Sequence, residues 1–173
     1  MNKIIFISGG ARSGKSTYAL EIAKKAGAKQ TAFIATCEPL DEEMSRRIKL
    51  HKKTRPSGWK TYEEPLDIAK ALSLMKDKYK VIIIDCITLL VSNLLLKGHE
   101  QKDICGAMDE MLEELKNKDA MTIVVSNEVG LGIVPENKLA RDFRDIAGKV
   151  NQIIAKESDE AYFMVSGIPW RVK

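Results

Sequence analysis

The sequence predicts an α/β fold, a mostly parallel sheet covered by helices on both faces. Five apolar runs rich in β-branched residues recur along the chain, and none alternates apolar with polar positions, the pattern of strands buried on both faces. Segments with helical spacing separate these runs, and strand–helix alternation implies parallel strands joined by right-handed crossovers. A glycine-rich stretch follows the first run directly and leads into the first helix, at the edge where such sheets hold ligands.

The first strand is expected over residues 3–8, where Ile4, Ile5, Phe6 and Ile7 are contiguous, and the first helix over 15–26. A second strand at 31–36 precedes a helix at 41–53. The next helix is expected over 65–75, opened by Pro65, because a proline at the first helical position forfeits no hydrogen bond. Val81, Ile82, Ile83 and Ile84 centre a strand at 79–85 that ends on Asp85. Helices at 87–96 and 101–118, a strand at 121–126, a helix at 136–157 and a strand at 160–165 complete the order. No repeat or low-complexity segment divides the chain, and 173 residues, 45% of them hydrophobic, close one core but hardly two, so 1–173 reads as one domain.

Composition excludes several classes of function. No apolar run approaches the roughly 20 residues of a membrane span, and the first residues lack the apolar core of a secretory signal, so a cytoplasmic protein without membrane insertion is expected. Cys37, Cys86 and Cys105 are odd in number and lack metal-ligand spacing, which points to buried free thiols. Lys and Arg number 28 against 24 Asp and Glu, and a formal charge of +4 is too mild to indicate nucleic acid as a partner.

Gly9-Gly10-Ala11-Arg12-Ser13-Gly14-Lys15-Ser16-Thr17 is a full match to the phosphate-binding pattern GxxxxGK[ST], in the strand-before, helix-after context that pattern requires. Glycine is needed where the loop folds tightly with its N–H groups turned inward, and a Cβ at Gly9 or Gly14 would obstruct that path. The helix opening at Lys15 adds its positive end. Lys15 is expected to reach the β- and γ-phosphates, and the Ser16 hydroxyl to bind Mg²⁺. Asp85, at the end of a buried strand, supplies the acid that holds Mg²⁺ directly or through water beside Ser16. A second reading has Asp85 capping the following helix.

From Met44 to Tyr62 the chain carries seven basic residues, Arg46, Arg47, Lys49, Lys52, Lys53, Arg55 and Lys60, and no acidic one. The rest holds 21 basic against 24 acidic residues, a balance of −3, so the whole positive excess is local. A solvated helix face explains most such runs. The sharper reading makes His51, in their midst, a nucleophile toward phosphorus, because neutral imidazole is available at pH 7 and surrounding cations hold triphosphate charge. Residue spacing leaves both open. His99, after Lys97-Gly98, reads as a surface residue.

These motifs resemble the bifunctional adenosylcobinamide kinase/adenosylcobinamide-phosphate guanylyltransferase family of cobalamin biosynthesis. Besides the loop from Gly9 to Ser16, the matching residues are Ile34-Ala35-Thr36, Asp41 to Met44, Arg47-Ile48 with His51, Arg55-Pro56 with Trp59 and Glu63, Asp85 to Thr88 with Asn93-Leu94-Leu95, Asn127 to Gly130, Gly132 to Asn137, Leu139 to Arg141, Phe143 to Asp145, Gly148 with Val150 to Gln152, and Ser166-Gly167-Ile168. The resemblance implies a P-loop NTPase-type, RecA-like domain with two reactions. ATP or GTP phosphorylates the corrinoid's aminopropanol hydroxyl, and GTP then donates GMP to that phosphate through a GMP-histidine at the position of His51. It implies nucleotide contacts at Gly9, Gly10, Ala11, Arg12, Ser13, Gly14, Lys15, Ser16, Ala35, Thr36, Lys52, Lys53, Thr54, Arg55, Glu63 and Asp85, and a homotrimer. Leu50 before His51 suggests a partly buried helix face. A P-loop kinase of another substrate and a nucleotide-gated interaction module share the loop without the histidine chemistry.

Two features stay outside the catalytic set. The loop between Glu128 and Glu136 touches corrinoid or a neighbouring subunit, or is merely structural. Arg141, Arg144, Asp142 and Asp145 have the spacing of a salt-bridged helix face.

Overall fold

The computed structural model describes residues 2–26, 29–39, 41–75 and 79–173, with the side chain of Arg47 left out. Along the chain run β1 (Lys3–Gly9), α1 (Lys15–Lys25), β2 (Thr31–Ala35), α2 (Glu42–Thr54), β3 (Lys60–Glu63), α3 (Ile68–Leu74), β4 (Val81–Asp85), α4 (Ile87–Leu96), α5 (Gln101–Lys116), β5 (Met121–Val125), α6 (Lys138–Glu157), β6 (Glu160–Val165) and β7 (Ile168–Arg171). The strands form one sheet in the order β3-β2-β4-β5-β1-β6-β7. Only the β6–β7 pairing is antiparallel.

The five expected strands lie at the centre of the sheet; β1, β2, β4 and β5 are covered on both faces, whereas β6 buries only Ala161 and Met164. Ile4 and Phe6 point to one side with Ile34, Ile82, Ile84 and Val124, against Ile68 and Leu72 of α3, Leu90 of α4, Met108 and Leu112 of α5, and Val150 and Ile154 of α6. Ile5 and Ile7 point to the other side with Phe33, Ile83, Ile123 and Val125, against Ala19 and Ala23 of α1. Burying an Ile side chain stabilises by about 1.5–3 kcal/mol, so every position of these strands gains by being apolar and no alternation remains.

Two strands were not expected. β3 is an edge strand inside the basic segment with no fully buried residue, and all four residues of β7 are exposed. Neither carries an apolar run, so the burial criterion misses both. α3 is also displaced from the expected start at Pro65. It begins at Ile68, and its cap is Asp67, whose carboxylate accepts from Lys70 N at 2.9 Å. α2 is a further difference. None of its described side chains is fully buried; Met44, Ser45 and Ile48 form a half-buried face, but Leu50, 64% exposed, lies outside it.

Candidate active site

The carboxyl ends of β1, β2, β4 and β5 meet at one edge, and β1 turns there into the P-loop. Gly9 has φ +143°, and a Cβ on it would lie 2.7 Å from the Met164 carbonyl oxygen. Gly14 has φ +95°, and its Cβ would lie 3.3 Å from Gly167 Cα. Both positions require glycine, for backbone conformation and for space. The loop closes on itself through Ser13 N to Gly10 O at 3.3 Å, while Gly167 N donates to Ser13 O at 3.0 Å and Glu128 N to Gly9 O at 2.9 Å. Ala11 and Arg12 are exposed at its tip, with Arg12 at φ 56°.

Lys15 is buried at the first position of α1, where Nζ donates to Gly10 O at 2.6 Å and lies 3.5 Å from Ser13 Oγ. Burial lowers its pKa, and the Asp85 carboxylate acts in the opposite sense. The Lys15 ammonium and the Asp85 carboxylate therefore share one electrostatic neighbourhood at the strand ends. Asp85 is level with Ala35 of β2 and Val125 of β5 in the ladder. The cap residue of α4 is Cys86, and no side chain caps that helix, so the alternative capping role of Asp85 is not realised.

Behind these groups lies a buried polar lattice. The Thr36 hydroxyl donates to Cys86 O at 2.7 Å and accepts from Cys86 N at 2.9 Å. Asn93 Nδ2 donates to Thr36 O at 2.8 Å and to Pro65 O at 3.0 Å. The Thr88 hydroxyl lies 3.1 Å from that of Ser126 and accepts from Asn127 N at 2.6 Å, and Asn151 Nδ2 donates to Asn127 O at 3.1 Å. Of these, Thr88, Asn93, Asn127 and Asn151 enter the sequence reading only as matches to family motifs, without a role. Ser126 and the Gly167–Ser13 contact are new, and the turn-prone Ser166-Gly167 pair followed by Pro169 was the available signal for the latter.

α2 starts at Asp41, whose carboxylate accepts from Met44 N at 2.6 Å, and ends in His51, Lys52 and Lys53. Lys52 pairs with Glu63, and the Thr54 hydroxyl donates to His51 O at 2.8 Å. Arg55 returns the chain to the sheet. Its guanidinium lies 3.6 Å from the centroid of the Phe33 ring and donates to Thr61 Oγ1 at 3.2 Å. Burial lowers the Arg55 pKa, and Asp85 and Glu63 oppose this. Asp85 thus acts electrostatically on both Lys15 and Arg55. His51 does not join them: its ring is exposed, and among the described residues no hydrogen bond or ion pair ties it to the loop.

Ser16 and Asp85 offer a hydroxyl and a carboxylate, hard oxygen donors of the kind Mg²⁺ takes when substrate phosphates and water supply its other ligands. Among the described residues there is no group of three or more His, Cys, Asp or Glu side chains placed to hold a metal by themselves. Cys86 is buried, whereas Cys37 and Cys105 are only half-buried, which corrects the expectation of three buried thiols; none of the three is in a disulfide. His99 is exposed as expected. Glu128 Oε1 accepts from Gly130 N at 2.6 Å, and Arg141 donates to Pro135 O at 3.0 Å, so the 128–136 loop has internal structural bonds. Lys138 pairs with Asp142 at 2.6 Å in i, i+4 spacing, whereas within the expected cluster Arg144 pairs with its neighbour Asp145 at 3.2 Å and Arg141 turns to the carbonyls of Pro135 and Glu136. Among the described residues no helix is long and apolar enough to cross a membrane.

A parallel sheet with a P-loop at the end of its first strand and an acid at the end of a neighbouring buried strand defines a P-loop nucleotide-binding protein. The likeness extends to the flagellar accessory protein FlaH from Methanocaldococcus jannaschii, which superposes with a TM-score of 0.54 over 99% of this chain and 78% of its own, at 15% identity. The profile of the cobinamide kinase/cobinamide phosphate guanyltransferase (CobU) family matches residues 5–172, and the chain belongs to that family. It is 44% identical to the bifunctional adenosylcobalamin biosynthesis protein CobU of Salmonella typhimurium, over 98% of this chain and 99% of that one. It is 36% identical to CobU of Escherichia coli over the same shares, and 41% identical to CobP of Pseudomonas aeruginosa over 96% of this chain and 95% of that one.

Proposed function

We propose that this chain, as one domain spanning 1–173, carries out both reactions for which its family is named, at the nucleotide site formed by the P-loop. The observation that carries this is the folded P-loop, with Lys15 buried at the head of α1 and bonded to Gly10 O, and Asp85 at the carboxyl end of β4. In the kinase step the cobinamide hydroxyl oxygen attacks the γ-phosphorus of ATP or GTP. The bond from that phosphorus to the bridging oxygen breaks, the nucleoside diphosphate leaves, and the hydroxyl proton passes to solvent. Lys15 leaves Gly10 O to hold the β- and γ-oxygens, and N–H groups of Gly9 to Ser16 line the phosphates. Ser16 and Asp85 would hold Mg²⁺, which would supply neutralisation of charge on the phosphate oxygens.

In the second step a neutral ring nitrogen of His51 attacks the α-phosphorus of GTP and pyrophosphate leaves, giving a GMP-histidine. A phosphate oxygen of cobinamide phosphate then attacks that phosphorus, the P–N bond breaks, and cobinamide-GDP and free His51 result. In-line attack requires α2 to close on the nucleotide. Its lack of buried side chains permits this, and Lys52, Lys53, Thr54 and Arg55 would travel with His51 toward phosphate charge, with Glu63, Ala35 and Thr36 lining the site. A homotrimer in the cytoplasm is part of this reading, with the exposed apolar residues Leu131, Ile133 and Trp170 available for contact between subunits.

Incubation with α-labelled GTP and Mg²⁺ tests it. Label should stay on the denatured protein, be released by acid and survive base, and be absent from His51→Ala, which should still phosphorylate cobinamide. A wild-type chain that phosphorylates cobinamide yet takes up no label refutes the histidine route and leaves a kinase alone.

A further inference from the structure

Asn93 matches a family motif, yet neither reaction above uses it. It lies on α4, 5% exposed, and both hydrogens of its amide are committed, one to Thr36 O at 2.8 Å and one to Pro65 O at 3.0 Å. The reverse orientation would set its oxygen against two carbonyls, so its partners dictate which way the amide points. Thr36 is where the chain leaves β2, and Pro65 is where it leaves β3. Between them the chain leaves the sheet through α2, which bears His51, and returns to it as β3, and one amide ties the two ends of this stretch together. Glu64 N to Ala35 O at 2.9 Å and the Thr36–Cys86 pair reinforce the same corner.

α2 spans 13 residues, so it is about 20 Å long. With no buried described side chain it takes its direction from its roots rather than from its own packing. The P-loop is held elsewhere: Gly167 secures Ser13, Glu128 secures Gly9, and β1 lies between β5 and β6. None of these bonds involves Asn93.

We propose that Asn93 is a positioning residue for guanylyl transfer, its amide setting the corner from which α2 carries His51 to the α-phosphorus. The proposal rests on the reading of His51 as nucleophile. Misplacement of a reacting group by about 1 Å costs on the order of a hundredfold in rate, and here that cost falls on the histidine step while the kinase step is spared.

The experiment compares two rates in one preparation of the full chain: labelling of the protein by α-labelled GTP, and phosphorylation of cobinamide by γ-labelled ATP. In Asn93→Leu, labelling should slow at least tenfold, while the kinase kcat stays within twofold and hydrogen exchange rises across 42–54 but not in β1 or α1. Should Asn93→Leu not fold, Asn93→Ser, which keeps one donor, takes its place with a smaller loss in the same ratio. Unchanged labelling, or an equal fall in both rates, overturns the proposal and leaves His51 intact as nucleophile. Absence of label in the wild type removes the His51 reading and this proposal with it.

Discussion

Lys15 Nζ donates to the carbonyl oxygen of Gly10 at 2.6 Å, so the lysine that is to hold phosphate is bonded to its own loop. Burial disfavours its charged form, with Asp85 opposing. A lysine whose folded pKa is lowered destabilises the fold in full below that value. The penalty is relieved as pH rises from the lowered value to the ordinary lysine value. Lys15→Met is therefore expected to lose both activities at least a hundredfold while unfolding in urea at no lower concentration than wild type. Any stability advantage should be largest near neutral pH and shrink toward alkaline pH.

The three glycines of the loop are expected to separate by their surroundings. A Cβ at Gly9 meets the Met164 carbonyl at 2.7 Å and one at Gly14 meets Gly167 Cα at 3.3 Å, whereas nothing lies within 4 Å of a Cβ at Gly10. Gly9→Ala and Gly14→Ala should each destabilise by about 1–3 kcal/mol through backbone strain and crowding. Gly10→Ala should unfold like wild type in the same denaturant titration.

Arg55 contributes charge and stacking together. Arg55→Met keeps an apolar chain over Phe33 but removes the cation, and should lower stability by about 1 kcal/mol, the size of a partly desolvated cation–π contact. The KM for nucleoside triphosphate should rise about tenfold with a smaller change in kcat, as expected when a phosphate-facing cation is lost. Equal KM values for variant and wild type would take Arg55 out of the nucleotide site.

The Cys86 thiol is pushed up to about 12, first by burial and then by the Asp85 charge. Thiolate is the reactive form. At pH 8 the native chain should therefore leave Cys86 unalkylated by iodoacetamide while the unfolded chain is modified fully, with peptide mass spectrometry reading the difference.

Removing the Asp85 charge tests the cation site. Asp85→Asn should shift the Mg²⁺ dependence of the kinase rate to at least about tenfold higher concentration. A superimposable Mg²⁺ titration would remove Asp85 from the cation's ligands.

The central sheet was legible because strands covered on both faces, such as Ile4 to Ile7 and Val81 to Ile84, must be apolar throughout. β3 and β7 were not, since an edge strand such as Ile168–Arg171 satisfies its pairing through backbone alone and leaves side-chain choice nearly free. The P-loop was legible because local geometry imposes residue types at fixed spacing. The lattice behind it was not, because Asn93 and Thr36 stand 57 residues apart and a buried amide can find its carbonyl from anywhere in the chain. His51 and Arg55 were named from charge and family resemblance. That Arg55 lies on Phe33 while His51 faces solvent is a matter of tertiary packing, which no pattern within 41–55 encodes.

A helix with no fully buried side chain among its described residues also has its own thermodynamic signature. Opening α2 would uncover less apolar surface than opening a core element, so its free energy should depend less steeply on urea, and its heat-capacity change should be smaller. The core responds more steeply in both respects. Denaturant and temperature thus act unequally on two parts of this chain, and the segment bearing the proposed nucleophile can fray and re-form while the sheet stays intact.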